Sequence, residues 1–458
     1  SDLIFTDFRL LNRVLSLALK TACGSFDAAM KRWTSAQLLR AGEFAYATLA
    51  LFALTQGPVL RMWSQSAELT GELPNPSIPH AQFSTYVAIQ LPALALVAHR
   101  IGAQWFRERA NQALVVFVSW LGLTVLWSSF ARQSLPEFVA LALTTAFGVY
   151  LATSFSRRQF WWLLASAMAI GVGISWFAIM RLWDGAVNFQ EDYWVGIYYN
   201  RNSLAPVAAV AIIASAALLL HAWRDTFTSS RYALATSIPA AVALATIAGI
   251  ELWRSESQTS PAALAIAALA CVMWLVLSAI CLKVKPLLKI SRFTSTITLI
   301  VTALAVFIAL RQEIGVGGVD TATTAFNQRS GLWSLSWDGF LRKPWLGWGW
   351  MAAWRDPLFL LSSNEASWMA WGLEWSHSGY HDLLLGGGIP AAVLFAVYLW
   401  FASRGISTSS PRTGAAEILI TVYVLAAATQ ESFFIGSHFL WATLVACLAA
   451  IPNRQFSR

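Results

Sequence analysis

Residues 159–180 read QFWWLLASAMAIGVGISWFAIM and contain no charged side chain. As an α-helix, this stretch extends ~33 Å, which is enough to cross the ~30 Å hydrocarbon core of a bilayer. Similar stretches recur along the 458 residues, and the composition is 57% hydrophobic with only 12% charged residues. A water-soluble protein of this size carries more charge. The sequence therefore predicts a membrane protein.

We predict an all-α polytopic fold with about twelve membrane-spanning helices. Their approximate extents are 42–60, 83–98, 110–128, 137–154, 159–180, 203–222, 232–252, 261–282, 294–310, 378–402, 414–429 and 434–451. The predicted organisation is an amphipathic N-terminal segment at 1–40, spans 1–9 within 41–310, a large loop with short amphipathic helices at 311–377, and spans 10–12 with a short tail at 378–458. No cleavable signal sequence is expected before the first span, since residues 1–40 carry six Lys or Arg. A surface helix on anionic lipids is expected there instead.

The distribution of charge predicts the orientation. With both termini in the cytoplasm, the inner segments hold 21 of the 31 Lys and Arg residues but only 7 of the 23 acids. This asymmetry follows the positive-inside rule and places the large loop outside the cytoplasm. The net charge of +8 is thus explained by membrane topology, and we expect no nucleic-acid partner. The four cysteines include no CxxC pair and predict neither a disulfide framework nor a metal site.

The predicted outer loop contains the segment NQRSGLWSLSWDGFLRKPWLGWG at 327–349. Arg329, Trp333 and Trp337 follow one another at helical spacing, so one helix face combines a guanidinium with tryptophans. Such a helix suits the outer membrane interface, where an arginine can meet a phosphate. An interfacial anchor without a role in catalysis has the same pattern.

The segment EWSHSGYHDLLLGGGIP at 374–390 leads from the loop into the tenth span. We expect Ser376 to cap this helix, which places His377 in the first turn, where the helix dipole favours a neutral ring that accepts a proton. The structural alternative is that His377 only caps the helix and takes no part in a reaction. A metal pair of His377 with His381 is a further alternative, although no third ligand accompanies it.

Two shorter outer segments also carry polar side chains. GIYYNRN includes Asn200, Arg201 and Asn202 just before a span, where amides and an arginine are able to bind an anionic or hydroxylated ligand. The segment ELWRSESQTSP supplies Arg254. The structural alternative for GIYYNRN is that its asparagines only form turns and helix caps. For ELWRSESQTSP, the alternative is a polar hairpin between two spans.

Taken together, these segments resemble the O-antigen ligase and exopolysaccharide polymerase family, which are glycosyltransferases with a GT-C-type membrane fold. The resemblance rests on LWSS around Trp127, GIYYNRN, SESQTS, Arg329 with Trp333 and KPWLGWG, WSHSGYHDLLLGGGIP, and QESFF at 430–434, and it covers residues 120–445. It implies that His377 and Arg329 are catalytic. It also implies substrate contacts by Arg201, Arg254, Asn200, Asn202, Trp333, Trp337, Ser378, Tyr380, His381 and Glu431.

Two positions depart from the family pattern. The family commonly has an asparagine where this chain has Ser378, so any role of that amide passes to a hydroxyl or is lost. The family often has a basic residue where this chain has Gln258, and Arg254, one helical turn earlier, is the candidate substitute.

The expected reaction moves a glycan from a polyprenyl-diphosphate donor to an acceptor hydroxyl on the extracytoplasmic face of a bacterial inner membrane. His377 is the expected base, and the arginines hold the departing diphosphate. A displacement in one step inverts the anomeric centre, so we expect an inverting reaction. No DxD motif occurs, so we expect no divalent metal, and no cofactor is expected. The acceptor is a second glycan, as in a polymerase, or a lipid core, as in a ligase, and proteins of a polysaccharide-assembly complex are expected partners.

Two functions from other classes fit twelve spans as well. A transporter of lipid-linked glycans usually has ionisable residues near the bilayer midplane and a two-half repeat, and neither pattern is evident in this sequence. A noncatalytic scaffold does not account for the arginines and histidines in the outer segments.

Overall fold

The computed structural model describes residues 34–57, 59, 77–183, 185–189, 191–225, 231–281, 325–360, 375–408, 411–434 and 436–449. Several predictions fall outside these ranges: most of the N-terminal amphipathic segment, the ninth span at 294–310, much of the large loop, and the C-terminal tail. The chain divides into two compact units, residues 1–49 and 50–458. All contacts given below lie within the second unit.

The described secondary structure is almost entirely helical. The helices are α1 (Ser35–Ala53), α2 (Ser77–Arg100), α3 (Arg109–Leu123), α4 (Ala131–Ser154), α5 (Arg157–Met180), α6 (Arg201–Asp225), α7 (Arg231–Arg254), α8 (Thr259–Cys281), α9 (Ala325–Arg342), α10 (Pro357–Leu360), α11 (Gly379–Thr408), α12 (Pro411–Ala427) and α13 (Phe439–Leu448). Short 3-10 turns lie at Trp105–Arg107, Thr124–Trp127 and Ala353–Arg355. Strands β1 (Val187–Asn188) and β2 (Tyr193–Trp194) pair antiparallel as a small hairpin between α5 and α6.

Eight helices within the described residues are long and apolar enough to cross a membrane. They coincide with the predicted spans 83–98, 110–128, 137–154, 159–180, 203–222, 232–252, 261–282 and 378–402. The all-α class is thereby confirmed, and an apolar, membrane-embedded protein is what these helices indicate. The number of twelve stays a prediction.

The last predicted span, 434–451, is helical over only ten residues. Helix α13 is ~15 Å long, which is about half the thickness of a hydrocarbon core. The residues before it, 428–434 and 436–438, are irregular. Phe433 and Phe434 in this stretch are buried within the protein, so their apolar character serves packing without a helix. Composition alone therefore overestimated the helix.

Local sequence explains how the helices begin and pack. Helix α5 begins with a capping box, in which the Ser156 side chain accepts from the Gln159 amide and the Gln159 side chain accepts from the Ser156 amide. Helices α4 and α13 approach closely at Gly148, where an added Cβ atom would lie 2.7 Å from the Ala442 carbonyl oxygen. Small residues permit such contacts between membrane helices.

Helix α12 lies centrally among the helices that lead to the candidate site. It packs against α8, α6, α11 and α13. Helix α11 in turn packs against α3 and against the loop helix α9. The non-helical segment that follows α12 therefore lies close to the beginnings of α8 and α11.

Candidate functional site

His377 and Glu431 form the centre of the candidate site. The His377 Nδ1 atom lies 3.3 Å from Glu431 Oε2, and the side chains are 30% and 12% exposed. A carboxylate at this distance favours the tautomer with the proton on Nδ1, which leaves Nε2 as the proton acceptor. The pair therefore has the arrangement of an oriented general base. Glu431 contacts the candidate base, whereas the sequence assigned it to substrate binding.

The backbone at His377 differs from the sequence expectation. Helix α11 begins at Gly379, so His377 precedes the helix and is not in its first turn. Its φ angle is +51°, a left-handed conformation that is uncommon outside glycine and recurs at functional sites. The ring of Trp375 also contacts His377 edge-on, with 6.0 Å between the centroids. The predicted N-cap role of Ser376 is therefore wrong.

Ser376 instead takes part in a hydrogen-bond cluster around Asp382. Its amide and its hydroxyl donate to Asp382 Oδ1 at 2.9 and 2.7 Å, and the Ser432 hydroxyl donates to Asp382 Oδ2. Asp382 is 3% exposed, and a buried carboxylate needs such partners. The cluster joins the residue before His377 to the residue after Glu431. Asp382 thus positions both members of the pair, and sequence reasoning missed it because the contact joins distant segments.

Further hydrogen bonds fix the start of α11 to the end of α12. The Gly379 amide donates to the carbonyl oxygens of Ala428 and Glu431 at 2.9 and 3.1 Å. The Tyr380 hydroxyl donates to the Leu425 carbonyl oxygen at 2.9 Å. Tyr380, assigned to substrate from the sequence, therefore has a structural contact. The other predicted residue, Ser378, is buried, and its amide donates to the Ser376 hydroxyl at 3.3 Å.

A second histidine lies near Glu431. His438 is buried, and its ring is stacked on that of Phe439, with 5.1 Å between the centroids. His438 Nδ1 accepts from the Leu440 amide at 3.2 Å and caps α13. The Nδ1 lone pair of His438 is therefore occupied. His377 is the better candidate for proton transfer.

The GIYYNRN segment lies between the hairpin and α6. Asn200 Oδ1 accepts from the Ser203 amide at 2.9 Å, which is the cap chemistry considered as an alternative for this residue. The Arg201 guanidinium lies over the Tyr193 ring, 4.9 Å from its centroid. Asn202 Oδ1 accepts from the Ser257 hydroxyl at 3.2 Å. The structure thus connects two segments, 200–202 and 255–257, that the sequence treated separately.

Arg254 contacts the same hairpin. Its Nη2 atom lies 3.1 Å from Asp192 Oδ1, and its guanidinium lies over the Trp194 ring, 5.4 Å from the centroid. Asp192 has 77% of its side chain exposed, and exposed ion pairs are weak. Arg254 and Arg201 therefore both lie against the hairpin, and an anion that displaces Asp192 is able to reach Arg254.

Helix α12 connects these segments with the histidine site. The Tyr423 hydroxyl donates to Ser260 Oγ at 3.2 Å, next to the beginning of α8. Leu425 accepts from Tyr380 on α11, and Glu431 follows the same helix. One helix end thus supports the SESQTS segment, the start of α11 and the partner of His377.

The loop helix α9 contacts α11 beside the histidine site. The rings of Trp333 and His381 are stacked, with 6.0 Å between centroids and 14° between planes. Trp337 is 47% exposed and contacts Phe340, at 5.2 Å between centroids. The backbone of Arg329 lies one helical turn before Trp333. The side chain of Arg329 lies outside what the structure describes, so its direction stays a prediction.

The segment after α9 pairs through its backbone with a break in α11. The amides of Trp348 and Gly349 donate to the carbonyl oxygens of Leu385 and Gly386 at 2.7 and 3.2 Å. The break occurs at Gly388, where φ is +66° and ψ is −165°, a conformation open essentially to glycine alone. Trp127 Nε1 donates to the Leu346 carbonyl oxygen at 3.1 Å. The LWSS, KPWLGWG and LGGG segments therefore meet.

Within the described ranges, no group of three or more His, Cys, Asp or Glu side chains is placed to hold a metal ion. His377 and His381 have separate aromatic and carboxylate contacts, as given above. The expectation of a metal-independent reaction stays a prediction.

The fold and site define an all-α, membrane-type protein with a histidine–carboxylate pair beside the start of α11. No protein-family model matches the chain, and no match is found among curated proteins. The assignment of function therefore depends on the geometry and on the residues themselves.

Proposed function

We propose that the protein is a membrane glycosyltransferase that moves a glycan from a polyprenyl-diphosphate donor to an acceptor hydroxyl. The observation that carries this proposal is the His377–Glu431 pair, since it supplies an oriented proton acceptor. The positive φ angle at His377 and the hydrogen-bond cluster at Asp382 support it, because both features hold the imidazole ring in one position.

In the proposed reaction, the acceptor oxygen attacks the anomeric carbon and the bond from that carbon to the diphosphate oxygen breaks. The hydroxyl proton passes to His377 Nε2, and the charge of the resulting imidazolium is stabilised by Glu431. The bonding electrons leave with the polyprenyl diphosphate. A single displacement of this kind inverts the anomeric centre.

The departing diphosphate needs positive charge, and Arg329, Arg201 and Arg254 are the proposed sources. Charge-assisted hydrogen bonds from guanidinium groups to phosphate are among the strong interactions of this type. Support comes from the shared contacts of Arg201 and Arg254 with the hairpin and from the position of α9 against α11. Trp337, exposed on α9, is proposed to stack on a sugar ring.

The proposed topology has twelve spans, both termini in the cytoplasm, and the large loop on the extracytoplasmic face of a bacterial inner membrane. The packing of helix ends supports it. Residues at the predicted cytoplasmic ends of four spans, namely 107–110, 157, 404–406 and 447–449, line one cavity. His377 lies at the opposite end of α11 from Arg404. The polar site and the basic helix ends are thus separated as the positive-inside rule expects.

Polymerisation is the proposed form of the reaction, and transfer to a lipid core, as by a ligase, is the alternative with the same chemistry. The deciding experiment incubates purified protein with a synthetic polyprenyl-diphosphate glycan, with and without a lipid-core acceptor. A ladder of products identifies a polymerase, and one addition to the lipid core identifies a ligase. No product under either condition, with glycan passing across proteoliposomes instead, identifies a transporter.

Two variants test the site in that assay. We expect His377→Ala and Arg329→Ala each to abolish transfer, with a loss of at least about 100-fold for the base. His99→Ala and Arg181→Ala are matched controls, since both side chains are exposed and neither belongs to the segments that form the pair. Full activity in both site variants would remove the proposed site.

The expected absence of a metal has a separate test. We expect a chelator to leave transfer by the purified protein unchanged. Loss of turnover that a divalent ion restores would contradict the arginine-based mechanism.

A further inference from the structure

A basic cavity of about 700 Å³ lies at the end of α11 that is remote from His377. The cavity is formed by the turn before α3, the start of α5, the last turns of α11 and the end of α13. Helix α11 is broken at Gly388, and its part from Ile389 to Arg404 alone extends roughly 22 Å at ~1.5 Å per residue. The cavity is therefore separate from the candidate catalytic site.

Positive charge dominates the cavity lining. Its charged residues are Arg107, Arg109, Arg157, Arg404 and the single acid Glu108. Arg107, Arg109 and Arg404 are exposed, so these guanidinium groups are accessible from the cavity. Long-range attraction therefore favours an anionic ligand.

One of these arginines has a structural role. Arg157 Nε lies 3.2 Å from Glu417 Oε1, and its Nη atoms donate to the carbonyl oxygens of Ala446 and Cys447 at 2.9 Å each. It thereby satisfies carbonyl groups at the end of α13, which have no partner within the helix. Arg157 fixes the wall of the cavity, and the remaining arginines provide its binding charge.

Two arginines are held in place by one aromatic ring. The guanidinium carbons of Arg109 and Arg404 lie 5.9 and 5.3 Å from the centroid of the Phe401 ring. Stacking of this kind orders the planar guanidinium groups and keeps their positive charge at the cavity. Helices α3 and α5 also begin at the cavity, so the positive ends of two helix dipoles lie there.

We propose that this cavity binds a phosphate ester, with the phosphate of an anionic phospholipid headgroup or of a soluble phosphate ester contacting Arg107, Arg109 and Arg404. Guanidinium groups bind phosphate oxygens in pairs, and the volume accommodates a headgroup. Basic cavities between membrane helices bind anionic lipids in this way. The inference does not depend on the proposed glycosyltransferase activity.

The test measures lipid binding to the full chain by native mass spectrometry in detergent. Phosphatidylglycerol is titrated against phosphatidylcholine, and glycerol phosphate is added as a soluble competitor. We expect the wild-type protein to retain phosphatidylglycerol in preference to phosphatidylcholine. Competition by glycerol phosphate assigns the site to soluble phosphate esters, whereas its failure to compete assigns the site to the lipid.

The double variant Arg107→Gln with Arg109→Gln is expected to weaken retention about 30-fold, or about fivefold for each arginine removed. Arg404→Gln is expected to lose about fivefold alone, which gives a second variant if the first one folds poorly. Arg158→Gln is the matched control, because Arg158 is exposed at the same helix start but does not line the cavity. Wild-type retention by both cavity variants, or equal loss in the control, would overturn the proposal.

Discussion

Replacing Glu431 by glutamine separates a role in orienting His377 from a role in binding substrate. The change keeps the shape of the side chain and removes its negative charge. If Glu431 stabilises the imidazolium, the loss occurs only once the proton has moved, so kcat falls while KM for the donor stays unchanged. If Glu431 contacts substrate, as the family resemblance implies, KM rises.

The geometry gives the expected size of the effect. Hydrogen bonds to charged groups contribute about 1.5–3 kcal/mol, and the strongest ones are 2.7–2.9 Å long. The His377–Glu431 contact is 3.3 Å, and the histidine side chain is 30% exposed. The lower part of the range, about 1.5–2 kcal/mol, therefore applies, which corresponds to a 10- to 30-fold decrease in kcat.

The assay is transfer from the synthetic donor at several donor concentrations, and Glu191→Gln, on the exposed hairpin, is the control. Because His377→Ala is expected to abolish transfer, donor binding is the measurement in that background, and we expect Glu431→Gln to leave it unchanged. A raised KM with unchanged kcat, or weaker donor binding by the double variant than by His377→Ala alone, would refute the orienting role.

Three further predictions concern folding and donor binding. Gly388→Ala should strongly lower the yield of folded protein and its apparent Tm. An added Cβ atom would lie 2.5 Å from the Trp345 carbonyl oxygen, and the backbone conformation there costs a residue other than glycine about 1–3 kcal/mol. The control is Gly405→Ala, which should match wild type because an added Cβ atom has nothing within 4 Å. Asp382→Ala should destabilise the protein by on the order of 3 kcal/mol by leaving three donors unsatisfied, while Asp382→Asn keeps one acceptor oxygen and should lose less in a thermal unfolding assay. Arg201→Gln should raise KM for the donor about tenfold if it binds diphosphate, and an unchanged KM would restrict it to its contact with the hairpin.

Much of the helical fold was predictable because each span must by itself be long and apolar enough to cross the bilayer. The stretch 159–180 requires no knowledge of its neighbours to be assigned as a helix, and its capping box at Ser156 is equally local. The helix predicted at 434–451 was too long for the opposite reason. Phe434 at its start contacts the rings of Phe395 and Trp441 inside the protein, and hydropathy does not distinguish such contacts from contacts with lipid.

The site was predictable as a set of segments but not as a set of contacts. His377 and Glu431 were both named from sequence, yet their contact joins residues 54 positions apart. Asp382 was not singled out, since its three donors come from two separate segments. Arg254 was expected to bind diphosphate, whereas its ion pair with Asp192 depends on a hairpin of two-residue strands that is too short to show a pattern.

The break in α11 at Gly388 has a consequence for how specificity can change. Main-chain hydrogen bonds hold the stretch that follows α9 against this break, and such bonds are independent of side-chain identity. Exposed tryptophans such as Trp345 can therefore be exchanged without loosening the attachment of the loop. Under the proposed function, new glycan preferences are in this way accessible through substitutions in the loop, while the packing of α9 beside His377 is retained.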